Sequence, residues 1–166
     1  MIIKKFLSMF KSLRGNFASL TIVGVGPGDP SLLTIAAVDS IKKANVIVFP
    51  VSDDNKKSFA AEIVKKHTKF KKKIPIIFPM ARKDFDPDGI WSIAVEKIVK
   101  TIKKGESVVL LCLGDTSLFA SSSNILRIIK NNHPEIITKI IPGISSLSAA
   151  AALNDFDLVK KGETLI

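Results

Sequence analysis

Apolar residues fall into two recurring patterns along the chain: short runs rich in valine and isoleucine, and longer stretches where apolar positions return every three or four residues. The first run, Leu20-Thr21-Ile22-Val23, breaks into Gly24-Val25-Gly26-Pro27-Gly28-Asp29-Pro30 and predicts a strand that empties into a backbone-rich loop. Ser31 is placed to cap a helix reaching about Lys43, with Leu32, Leu33, Ile35, Ala36, Val38 and Ile41 on its apolar face. Asn45 to Pro50 reads as a second strand, Ser52 to Asn55 as a turn, and Ser58 to about His67 as a second helix. Lys65, Lys66, Lys69, Lys71, Lys72 and Lys73 crowd the end of that helix, where cations suit its dipole.

Ile74 to Phe78 is the third predicted strand, with Pro75 near its start. Asp86-Pro87 then opens a long helix, the aspartate as cap and the proline where a missing N–H costs nothing. Its buried stripe is Trp91, Ala94, Val95, Ile98, Val99 and Ile102, and Gly105 ends it. Ser107 to Leu113 is almost uninterruptedly apolar, as expected of a central parallel strand covered on both faces. Gly114-Asp115-Thr116-Ser117 leads from it into a helix from about Leu118 to Lys130. Ile136 to Ile141 is the fifth strand, turned by Pro142-Gly143-Ile144-Ser145-Ser146 into an alanine-rich helix from Leu147 to Leu153. Strands separated by helical crossovers predict an α/β fold, a five-stranded parallel sheet flanked by helices.

Composition narrows the class. At 166 residues and 46% hydrophobic content the chain holds one domain with a sizeable core. A single cysteine, Cys112, allows no internal disulfide, and no apolar run is long enough to cross a bilayer, so a soluble, cytoplasmic, reducing location is expected. The formal charge of +10 favours acidic partners, among them a polycarboxylate small molecule. Arginine occurs only at Arg14, Arg82 and Arg127, and charge carried by lysine without arginine forks argues against nucleic acid. Residues 1–18 form a basic amphipathic extension, with Ile2, Ile3, Phe6, Leu7, Phe10 and Leu13 at helical spacing, suited to a membrane surface or a partner without stable insertion.

Loops leaving the carboxyl ends of a parallel sheet converge on one edge, and those after the first, fourth and fifth strands are rich in Gly, Pro, Ser and Asp. Gly24-x-Gly26 resembles the start of a dinucleotide fingerprint. The last glycine of that pattern is replaced by Asp29, however, and Pro27 and Pro30 remove amide donors that a pyrophosphate would need. Carbonyls and tight turns at Gly24 to Gly28, a carboxylate at Asp115 and hydroxyls at Ser145 and Ser146 suit a cationic or neutral ligand, such as a sulfonium methyl donor. Asp115 is also placed to cap a helix, and both roles stay open. Cys112 reads as an inert core thiol, and His67 and His133 as surface residues without partners at metal-ligand spacing, so no metal is expected.

The run Gly24-Val25-Gly26-Pro27-Gly28-Asp29-Pro30, with Leu32-Leu33-Thr34 and Ala44-Asn45-Val46-Ile47-Val48-Phe49, closely resembles the opening of the tetrapyrrole (corrin/porphyrin) methylases. Leu113-Gly114-Asp115 and Ile141-Pro142-Gly143-Ile144-Ser145-Ser146 are similar to that family's later signatures, in the right order. Phe49-Pro50-Val51-Ser52, Phe78-Pro79-Met80 and Cys112-Leu113-Gly114-Asp115 resemble the branch that methylates C-20 of precorrin-2. Uroporphyrinogen III methylases typically carry aspartate where this chain has Pro50, and Thr116 stands where many relatives have proline. The resemblance implies S-adenosyl-L-methionine as methyl donor, bound by Pro27, Gly114, Asp115, Leu118, Ser145 and Ser146. It implies a tetrapyrrole substrate and in-line methyl transfer with no covalent nucleophile; Arg82, Lys83 and Arg127 are rim candidates by charge alone.

The resemblance covers a first domain, residues 19–157, with residues 158–166 resembling the start of the connection to a second domain. The expectations are therefore C-20 methyl transfer to precorrin-2 or cobalt-precorrin-2 in cobalamin synthesis, in truncated or split form, with a homodimer or a complementary second domain as partner. The alternatives are a non-catalytic half-domain and another tetrapyrrole methylase, such as one acting on uroporphyrinogen III.

Overall fold

The computed structural model describes residues 18–52, 57–78 and 87–164. Its strands are β1 (Ser19–Gly24), β2 (Val46–Val51), β3 (Lys72–Ile77), β4 (Val108–Cys112) and β5 (Ile137–Ile141), joined by helices α1 (Ile35–Lys43), α2 (Phe59–Ile63), α3 (Pro87–Ile102) and α4 (Ser122–Asn132), with α5 (Ser146–Leu153) after the last strand. The strands form one sheet in the order β3-β2-β4-β1-β5, and every pairing is parallel. From neighbouring strands the chain departs in opposite directions: β1 runs across β4 to β2, and β4 runs across β1 to β5. Right-handed crossovers then place α1 and α2 on one face and α3 and α4 on the other.

The core follows that division. Leu20, Ile22, Val108 and Leu110 pack against Trp91, Ile98, Ile125 and Ile129 of α3 and α4. Val23, Val25, Val109 and Leu111 pack against Ala37, Ile41, Ala60 and Ile63 of α1 and α2. Every residue of β4 is buried, because period-two alternation delivers its side chains to both covered faces. The stripe expected on α3 is buried throughout. Asp86 and residues 1–17 of the extension predicted over residues 1–18 lie outside the described residues, as do Asn55, Arg82 and Lys83.

Three local expectations are corrected. Ser31 does not cap α1: Pro30–Leu32 form a separate 3-10 turn capped by Asp29, and Thr34 caps α1 by accepting from the Ala37 amide at 3.1 Å. Of the apolar face expected for this helix, Ile41 is buried but Ile35 is 83% exposed and Ala36 is exposed, and Ala37, outside that face, is buried in their place. The helix predicted from Leu118 begins instead at Ser122, after a turn in which Phe119 has φ +51°. α2 ends at Ile63 and gives way to a 3-10 turn at Lys65–His67.

Lys71 serves a different helix dipole from the one expected. Its ammonium donates to the carbonyls of Lys42 and Ala44, at 2.9 and 2.6 Å, closing the C-terminal end of α1. At the amino edge of the sheet, Asn45 Oδ1 accepts from the Ser107 amide and hydroxyl at 2.9 and 2.7 Å, latching the starts of β2 and β4. Pro75 is accommodated because β3 is an edge strand. Among the described residues no helix is long and apolar enough to cross a membrane. Burial separates two substitutions: by urea denaturation, Leu110→Ala, which empties a fully buried site, is expected to cost about 3 kcal/mol. Ile140→Ala, at a residue 48% exposed, is expected to cost about 0.5 kcal/mol.

Candidate functional site

The loops leaving β1, β4 and β5 meet through glycine backbone. A Cβ on Gly24 would lie 2.5 Å from the Gly143 nitrogen and 2.9 Å from the Gly114 oxygen. A Cβ on Gly143 would lie 2.8 Å from the Gly24 carbonyl carbon and closer still to the Gly114 oxygen. Real side chains do not occupy such spaces, so the approach requires glycine at both positions. Beyond the strand ends, Gly26 and Gly114 exchange backbone hydrogen bonds, Gly26 N–H to Gly114 O at 3.1 Å and Gly114 N–H to Gly26 O at 2.8 Å. Gly26 (φ +79°) and Gly114 (φ +69°) both adopt left-handed backbone there.

Asp115 ties this cluster together. One carboxylate oxygen accepts from the Ser117 amide at 2.8 Å and from the Ser117 hydroxyl; the other accepts from the Gly143 amide at 3.0 Å. Hydrogen bonds from the Ser117 hydroxyl and then its amide hold the carboxyl below the usual carboxylate range. Asp115 caps no helix, since α4 starts at Ser122; it joins the β4 exit to the β5 exit. Asp29 is exposed and turned onto its own backbone, where the Ser31 amide at 2.7 Å lowers its pKa. Ser145 caps α5 by accepting from the Ser148 amide at 3.1 Å, and Ser146 is the exposed first residue of that helix.

Two cavities open side by side on this edge. One, of about 440 Å³, is lined by Pro27, Gly28 and Pro30 from the β1 exit, Leu113 from the β4 exit, and Phe59, Glu62 and Ile63 from α2. The other, of about 380 Å³, lies over the ends of β2 and β4 and is mostly apolar, with Pro50, Val51, Phe78, Cys112 and Phe119 in its wall and Lys57 among its lining residues. Phe59 and Leu113 line both, forming the partition. Desolvation pushes the Cys112 thiol up, which suits an inert wall and not a nucleophile. Of the residues nominated from sequence, Pro27 lines the first cavity, and Gly114 and Asp115 stand with Gly143 at the loop junction. Leu118, 46% exposed, and Arg127 on α4 line neither cavity. Sequence reasoning did not nominate Phe59, Glu62, Leu113 or Phe119, whose places come from tertiary folding.

Residues 19–166 match the family described as tetrapyrrole (corrin/porphyrin) methylases. The chain belongs to that family. It is 37% identical over 143 residues to a probable cobalt-precorrin-2 C(20)-methyltransferase of Methanocaldococcus jannaschii, covering 86% of this chain and 60% of the relative. It is 36% identical over 132 residues to a uroporphyrinogen-III C-methyltransferase of the same organism, covering 77% and 48%. The fold matches a solved cobalt precorrin-4 methyltransferase with a TM-score of 0.68 at 22% identity, over 92% of this chain and 56% of that one. The chain thus spans roughly half to three-fifths of the length of these tetrapyrrole methylases.

The glycine junction sets an order of severity. Gly143→Ala is expected to destabilise by about 3 kcal/mol or more, because the new methyl meets backbone that cannot rotate away. Gly114→Ala meets nothing within 4 Å and should cost only the left-handed backbone penalty, about 1–2 kcal/mol. Equal losses in thermal unfolding would contradict that order. Because the folded-state pKa of Asp115 is depressed, its contribution is complete above the ordinary carboxylate value and fades as pH falls through the folded value. The stability gap between wild type and Asp115→Asn is therefore expected to be flat from about pH 5 to 8 and to close below about pH 4.

Proposed function

We propose that the chain supports S-adenosylmethionine-dependent methyl transfer to C-20 of precorrin-2 or cobalt-precorrin-2, with part of the site supplied from outside its 166 residues. The observation that carries this reading is the pair of cavities divided by Phe59 and Leu113 at the carboxyl edge of the sheet. Methyl transfer needs two ligands held in contact across one boundary, each in its own environment.

The cavity beside Pro27 fits the donor. Among the described residues no lysine or arginine lines it, Glu62 does, and a carboxylate favours a ligand with a sulfonium and an ammonium group. Of the proposed donor-binding set, Pro27 lines this cavity, whereas Gly114, Asp115, Leu118, Ser145 and Ser146 lie outside its lining, with Asp115 acting through the loop junction it holds. The donor supplies an activated methyl group, so the protein's part is to bind, align and exclude water; no side chain need form a covalent bond. The apolar cavity fits part of a reduced tetrapyrrole, whose carboxylates would meet Lys57 and the basic surface. Pro50 lines that cavity where uroporphyrinogen III methylases typically have aspartate, which favours the C-20 branch. The 37% identity to a probable C(20)-methyltransferase supports the same choice. The edge is open: Leu113 is 48% exposed and Phe119 fully so, as expected if another structural unit closes the cleft.

The test is transfer of labelled methyl to precorrin-2 and to cobalt-precorrin-2, with and without the remaining portion of the archaeal relative's chain. The expected result is C-20 product with that supplement, little or none without it, and weak binding of S-adenosylhomocysteine by the chain alone. Methylation of uroporphyrinogen III in its place would shift the reading to the other branch. Tight donor binding by the isolated chain in calorimetry would contradict the need for an outside wall.

A further inference from the structure

Phe119 combines three properties that its surroundings do not reconcile. It is a bulky residue at φ +51°, in the left-handed region that such side chains avoid. Its side chain is fully exposed at 101%, so no packing within the described residues offsets that conformation. It also lines the apolar cavity, together with Phe59, itself 79% exposed, and Lys57. Ties on either side hold the turn: Ser117 is bound by Asp115, and the Ser123 amide and hydroxyl donate to the Ala120 carbonyl at 3.1 and 2.7 Å. The loop is thus fixed in a conformation that leaves an aromatic ring at a cavity wall without a partner, a form of strain that persists where the surroundings impose it.

Resting on the methyl-transfer reading above, we propose that Phe119 is a positioning residue that stacks on a pyrrole face of the tetrapyrrole, with Phe59 as a second aromatic contact at the partition toward the donor. A flat, conjugated and carboxylate-bearing ligand matches what the wall offers: aromatic faces, aliphatic sides and a lysine. Stacking there fixes the tilt of the macrocycle, and the tilt decides which ring carbon reaches the partition formed by Phe59 and Leu113.

Trp91, the chain's one tryptophan, supplies the readout, since its ring lies 4.6 Å from that of Phe78 in the same cavity wall. Quenching of Trp91 by uroporphyrin III, a stable tetrapyrrole, measures uptake in the 166-residue chain. Phe119→Ala and Phe119→Gly are expected to bind it about tenfold or more weakly, the scale of one lost stacking contact, and Phe119→Trp to retain it. Glycine is suited to φ +51°, so Phe119→Gly removes the ring without the backbone strain that alanine keeps there. S-adenosylhomocysteine affinity should stay unchanged in every variant, which a merely structural role for Phe119 would not allow. Uptake by Phe119→Gly within twofold of wild type overturns the inference and leaves the methyl-transfer reading standing. Absence of uroporphyrin III uptake by the wild-type chain also overturns it; absence of donor binding as well removes the reading beneath it.

Discussion

The close approach of backbone at Gly24, Gly114 and Gly143 is the constraint on which the rest of the site depends. The three residues come from the exits of β1, β4 and β5, strands with very different places in the sequence but adjacent in the sheet. Parallel pairing brings those exits to one edge, yet it does not by itself bring them into contact. Contact requires that no side chain intervene, and a methyl group at Gly24 or Gly143 would overlap neighbouring backbone. With the gap closed, Gly26 and Gly114 can exchange hydrogen bonds and Asp115 can reach the Gly143 amide. The junction therefore converts three flexible loops into one surface.

That surface presents little charge where a ligand would meet it. The chain carries +10 overall, but much of its lysine lies elsewhere, on the β3 approach and helix ends, and Lys71 is committed to closing α1. Of the two carboxylates in the motif loops, Asp29 is satisfied by the turn it caps and Asp115 by the loops it joins. Both motif-loop carboxylates are thus engaged by neighbouring amides and a hydroxyl, and among the described residues Glu62, outside every motif, is the carboxylate that lines a cavity. The division of labour suits a reaction whose electrophile arrives already activated, since such chemistry asks for alignment and dryness more than for proton transfer.

The hydrophobic alternation of the strands made the architecture legible: a buried run such as Val108 to Cys112 has to sit at the centre of a covered parallel sheet, and the stripe from Trp91 to Ile102 has one face to bury. The motif loops were legible because glycine, proline and aspartate signal backbone geometry directly. Helix starts were less so. Ser31 and Thr34 are both good caps, and only the 3-10 turn built on Asp29 decides between them. Likewise Leu118 looks like the start of a helix, but the turn held by Asp115 and Ser117 delays α4 to Ser122.

Local sequence thus determined strand and helix identity, the parallel sheet and the family, since each follows from residues close together in the chain. The strand order, the contact between glycines more than a hundred residues apart, and the partition made by Phe59 and Leu113 were decided only by tertiary structure. The reason is physical: periodicity reports which face of an element is apolar, whereas the distance between two loops, and the ring left exposed between them, depends on how the elements pack against one another.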